Sequence, residues 1–127
     1  MRIFYSSSGG DPMLLDREEA LHSLATELGE FAAGRRVSGV FTAEMNGNPE
    51  PYTAFLFGIR VQKTDGGSPE LYLANDQWLE LRASVPDLEK LCHNVALLKN
   101  GDHTHLYAGP ISLIVEADDS WPGFNGG

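Results

Sequence analysis

Apolar residues recur at spacings of three and four in two stretches of the chain. Leu21, Leu24, Ala25, Leu28, Phe31 and Ala32 form the first stripe, and Leu88, Leu91, Cys92, Val95 and Leu98 form the second. This spacing lines one side of an α-helix, so two amphipathic helices are predicted. Asp16 followed by Glu19 has the form of a capping box opening the first helix, and Gly34 is a natural stop. Ser84 with Asp87 marks the start of the second, and Asn100-Gly101 its end.

Outside the helices the pattern changes to alternation. Arg2 to Ser6, Val37 to Met45, Tyr52 to Lys63, Glu70 to Ala74, Gln77 to Ala83, His103 to Ala108 and Ile111 to Ala117 read as strands. Phe55, Phe57, Ile59 and Val61 fall on one face of the long third strand. Leu79, Leu81 and Ala83 oppose Trp78, Glu80 and Arg82. Asn46-Gly47-Asn48-Pro49, Asp65 to Pro69, Asn75-Asp76 and Gly109-Pro110 are turn signals.

Two helices with one stripe each cannot cover both faces of such a sheet. The expected fold is therefore α+β: a mainly antiparallel sheet of about six to seven strands, with two helices packed on one face and the other face open. Residues 1–119 form one domain in this reading, and 120–127 a Gly/Pro-rich tail. The two helical stripes match position for position, and a strand follows each helix. This raises an internal duplication of two strand–helix–strand units side by side, although any amphipathic helix tends towards the same spacing.

Composition narrows the function classes. With 127 residues, one core is expected. Apolar residues make up 42% and no apolar run approaches the ~18 residues of a membrane span, so a folded protein outside the membrane is expected. Met1 to Tyr5 enters a strand pattern without a signal-peptide core, which makes the cytoplasm the expected compartment. The net charge is −9, and Arg35-Arg36 is the longest basic run, which argues against nucleic acid as a partner. No Lys or Arg follows Lys99, so Asp102, Glu116, Asp118 and Asp119 stand unopposed. Acidity of this kind keeps a protein soluble and also steers it towards a basic partner. The one cysteine, Cys92, lies on the second stripe and reads as a small core residue.

Candidate chemistry is thin. Ser6 to Gly10 is a Ser/Gly loop without Walker spacing or its lysine. His103 and His105 share a strand face near Glu116, and two histidines with a carboxylate are a metal-ligand set. Ser6, His93 or His105, and Asp118 supply the residue types of a hydrolase triad, without a nucleophile elbow. These features define the alternative function, a small-molecule- or metal-binding domain or small enzyme using the Ser/Gly loop and the His103/His105 strand. The first reading expects no catalytic residues, no metal and no cofactor. Aromatics on polar faces (Trp78, Tyr72 and Tyr107) together with Trp121 and Phe124 in the tail are residue types that dominate binding hot spots.

The stretch from Leu79 to Trp121 carries Leu79-Glu80-Leu81, a capped helix, His103-Thr104-His105-Leu106 and Ser112-Leu113-Ile114-Val115-Glu116-Ala117-Asp118-Asp119. It resembles small immunity proteins of bacterial polymorphic toxin systems, the family numbered thirty-two. That resemblance implies an α+β protein that acts by binding and blocking a cognate toxin. Such a toxin has a basic cleft where it attacks nucleic acid. The expected partner-binding residues are Trp78, Glu80, Tyr107, Glu116, Asp118, Asp119 and Trp121, on a monomer or a homodimer.

Overall fold

The computed structural model describes residues 1–7 and 9–120. The chain begins with two antiparallel strands, β1 (Arg2–Tyr5) and β2 (Met13–Asp16), and then enters helix α1 (Glu18–Ala32). Three strands follow: β3 (Val40–Thr42), β4 (Ala54–Phe55) and β5 (Gly58–Thr64). The remainder is β6 (Glu70–Leu73), β7 (Trp78–Ser84), helix α2 (Val85–Ala96), β8 (His103–Ala108) and β9 (Ile111–Ala117).

The α+β class is as expected, but the single sheet is not. The strands form two sheets, one of five in the order β4-β1-β2-β9-β8 and one of four in the order β3-β5-β7-β6. Nor is either sheet wholly antiparallel. Each is built around a parallel central pair, β2 with β9 and β5 with β7, flanked by antiparallel neighbours. Asn75-Asp76 and Gly109-Pro110 close hairpins as expected, whereas Asp65 to Pro69 joins β5 to β6, which do not pair. Turn signals could not reveal pairings between strands distant in the chain.

Topology explains the matched stripes. The series β1-β2-α1-β3-β5 and the series β6-β7-α2-β8-β9 have the same plan. Apart from β4, an additional edge strand from the first half, each half gives two strands to one sheet and two to the other, so β1-β2-β9-β8 corresponds to β6-β7-β5-β3. The halves are interleaved rather than side by side. Both sheets therefore share one core: Leu14, Leu113, Ile59, Leu81, Leu28 and Val95 meet around an apolar void of about 30 Å³. The helices pack on each other closely enough that a Cβ added at Gly29 would lie 4.0 Å from Cys92 Sγ.

Three local readings change. The expected strand from Val37 to Met45 contracts to Val40–Thr42, and Val37 is 99% exposed. The strand expected from Tyr52 to Lys63 is broken at Leu56-Phe57, where the chain leaves β1 in one sheet and joins β3 and β7 in the other. Its alternation is reset there. Leu56, Ile59 and Val61 are core residues, Phe55 packs with Phe4 and Leu15 on the outer side of the five-stranded sheet, and Phe57 is 45% exposed. Met13–Asp16, which is not among the expected strands, is the central strand of the five-stranded sheet.

The helix starts also differ from one another. Ser84 Oγ accepts the Asp87 N–H at 3.3 Å and donates to Asp87 Oδ2 at 3.0 Å, as its sequence implied. Asp16 does not cap α1. Its carboxylate is buried, 2.9 Å from the amine of Met1, and it accepts the Arg17 N–H at 2.8 Å. The cap comes from Asp119, whose Oδ1 accepts the Glu18 N–H at 2.8 Å. Gly34 ends α1 as expected, with a φ of 81° that favours glycine.

Candidate functional site

The inner face of the four-stranded sheet is core, and its outer face is built from alternating residues of β3, β5, β6 and β7. Register places Val40, Arg60, Glu80 and Tyr72 in one row, and Thr42, Gly58 and Trp78 in the next. Arg60 is the hub. Its Nε lies 2.7 Å from Glu80 Oε1, its Nη2 lies 2.8 Å from Asp76 Oδ1, and its guanidinium stands 5.2 Å from the centre of the Trp78 ring. Arg82 stands over Tyr72 in the same way at 5.6 Å. The hydrogen bond from Arg60 holds the Asp76 carboxyl below its usual value, and the same contact raises Arg60.

Trp78 needs the glycine beside it. A Cβ on Gly58 would come 2.5 Å from the indole and 2.3 Å from the carbonyl oxygen of Phe41. The missing side chain lets the indole approach the backbone of β5. Trp78 and Glu80 are half-buried in this arrangement, while Tyr72, Arg82, Val40 and Phe57 are exposed. The sequence signalled Trp78 and Glu80 but not Arg60. Its role follows from the parallel pairing of β5 with β7, which local pattern does not encode.

The remaining expected residues are dispersed. Tyr107 and Glu116 belong to the other sheet, on its outer face with His103 and His105, and Glu116 stands opposite His103 in register. The acids of the C-terminal segment are engaged within the fold. Asp119 caps α1, its backbone N–H donates to Asn100 Oδ1, and its carbonyl accepts from Arg17. Asp118 Oδ1 accepts from the Ser120 backbone. Asp102 Oδ2 accepts the Lys99 N–H. Of these acids Asp119 joins distant parts of the chain, whereas Asp118 and Asp102 bond only within their own turns. Trp121 and Phe124 lie outside the described residues.

The alternative chemistry is not assembled either. The Ser/Gly loop joins two antiparallel strands rather than leading into a helix, and Ser6 and Ser7 bond to Thr53. His105 is hydrogen-bonded not to Ser6 but to Ser112, at 3.2 Å, while Ser112 Oγ donates to Asp11 Oδ2 at 3.1 Å. A carboxylate only accepts, so the hydroxyl proton points to Asp11 and His105 Nδ1–H donates to Ser112. Such a serine, 3% exposed and with its proton turned away from the imidazole, is not an activated nucleophile. Among the described residues no three His, Cys, Asp or Glu side chains converge on a metal position. Cys92 is half-buried, and burial pushes its thiol up. No helix among them is long and apolar enough to cross a membrane.

Neither a protein-family model, nor a curated protein, nor a solved structure matches this chain.

Proposed function

We propose that this protein is an inhibitor of the immunity type, which binds a cognate toxin protein through the outer face of its four-stranded sheet. The observation that carries this reading is the Arg60 cluster. Trp, Tyr and Arg are the residues that most often dominate binding energy. Here they stand pre-ordered, with Trp78 over Gly58 and Arg60 clamped by Glu80 and Asp76, on a face that no described helix covers. Pre-ordering removes the entropy of immobilising those side chains on binding.

The face itself carries Arg60 and Arg82 against Glu70, Asp76 and Glu80, so it is close to neutral. Charge acts through the whole molecule instead, whose −9 steers a basic partner during encounter. Affinity then rests on Trp78 and Arg60, and association rate on net charge.

The experiment is to co-produce this chain with the product of the adjacent gene. A nanomolar complex that relieves toxicity is expected, with association slowing as salt rises. Trp78→Ala costs at least about 2 kcal/mol of binding, the size of a hot-spot loss. An adjacent product that is neither toxic nor bound by this chain defeats the reading.

A further inference from the structure

A second surface, on the other sheet, has a more specific geometry. β8 is the edge of the five-stranded sheet, paired one-to-one with β9 over six residues and with no other described strand. Exposed edges are usually blunted by brevity, lysine, proline or a bulge. The β8 sequence His103-Thr104-His105-Leu106-Tyr107-Ala108 has none of these, and its register is unbroken. The other edges are shorter: β3 has three residues, β4 two and β6 four.

The direction of its hydrogen bonds follows from the hairpin. Only Gly109 and Pro110 separate Ala108 from its partner Ile111, and Ala117 N–H donates to Asp102 carbonyl at the far end. Alternation along an antiparallel ladder then turns Thr104, Leu106 and Ala108 towards β9. The N–H and C=O groups of His103, His105 and Tyr107 face the open edge.

That edge borders a groove. Two concavities, of about 180 and 550 Å³, meet at Asn94 and together run the length of β8 beside α2. Their floor includes Leu91, Leu98 and Leu106. Asp87 lies at the Tyr107 end and Asp102 at the His103 end.

We propose that this groove takes an extended segment of a partner polypeptide, which adds to β8 as a sixth strand. An unpaired row of alternating donors and acceptors is complementary to one kind of ligand, another extended backbone. Six edge residues span roughly 20 Å, enough for a segment of similar length. Lys90 lines the same concavity as Asp87, so Asp87, Lys90 and Asp102 together leave a net negative lining, which with the −9 of the whole chain favours basic over acidic residues at the ends of the segment, and uncharged residues between. A second copy of this chain is a poorer occupant, because each copy carries −9. The inference is independent of the Arg60 face, which lies on the other sheet.

The test uses the full chain, labelled with nitrogen-15, and an acetylated, amidated peptide of sequence Lys-Thr-Val-Thr-Val-Thr-Lys. Added peptide shifts the amides of His103, His105 and Tyr107 together with those of Lys90 and Asn94, and slows exchange of the three edge amides. Glutamate in place of both lysines weakens binding by about tenfold or more. Tyr107→Pro removes one outward donor without touching the β9 ladder and abolishes binding, whereas Tyr107→Thr retains it. Asn94→Trp, on α2 rather than on β8, fills the groove where its two concavities meet and also abolishes binding. The proposal is overturned by peptide shifts elsewhere, by no shifts at millimolar peptide, or by undiminished binding to Asn94→Trp. It is equally overturned if the three edge amides are already protected in the free monomer, or if protection follows a concentration-dependent dimer, since the groove then has another occupant.

Discussion

Asp119 Oδ1 accepts the backbone N–H of Glu18 at 2.8 Å, across 101 residues of sequence. The contact closes the chain on itself. The segment just after the last strand caps the first helix, while Glu18 Oε1 accepts the Asn100 N–H at 2.9 Å. A residue that looked like free surface charge therefore belongs to the folding machinery.

Asp119→Ala is expected to lower stability by about 1 kcal/mol, the usual loss for an N-cap side chain. Urea denaturation measures it. Binding of the partner through the Arg60 face stays unchanged in the same variant. A fully stable Asp119→Ala protein would show that the cap contributes nothing.

The Arg60–Asp76 contact sets a pH dependence. Arg60 depresses the folded Asp76 carboxyl, so its stabilisation is present above the unfolded value of about 3.9 and disappears as pH falls through the lower folded value. Carboxyl NMR titration should find Asp76 below the ordinary range. Arg60→Gln should move it upwards. An Asp76 that titrates identically in both proteins contradicts the contact.

Gln77 has a φ of 65° in the turn between β6 and β7, a left-handed conformation that a side chain resists. Gln77→Gly should gain stability by about 1 kcal/mol, read as a higher thermal midpoint. Gln77→Val should lose it, because β-branching worsens the same clash. Equal midpoints for the two variants would refute the assignment.

Burial raises the Cys92 thiol, which leaves little thiolate at neutral pH. Reaction with a disulfide reagent should be slower in the folded chain than in urea, by on the order of tenfold. The difference narrows as pH rises towards the folded value. A native rate matching the unfolded one would place this sulfur at the surface.

The helices were legible because their information is local. A stripe such as Leu88, Leu91, Val95 and Leu98 is one side of one cylinder, and the Ser84–Asp87 cap closes within four residues. Turn residues likewise marked Gly109-Pro110 between β8 and β9. The α+β class followed from these elements together with the alternating strands.

Long-range pairing was decided elsewhere. Alternation tells which residues share a face but not which strand lies beside them, so one sheet was expected where two exist, each built from both halves of the chain. The Leu56-Phe57 break is a tertiary event: the chain crosses from one sheet to the other, and Phe57 leaves the face that Ile59 and Val61 keep. Charge behaved similarly. Composition counted Asp119 and Glu80 as acids, and only the folded chain brought Glu18 and Arg60 to them. By itself the sequence determined the helices, the turns and the residue types available for binding. Tertiary structure decided which of those residues stand together and which are already engaged, because hydrogen bonds and ion pairs depend on distance in space rather than along the chain.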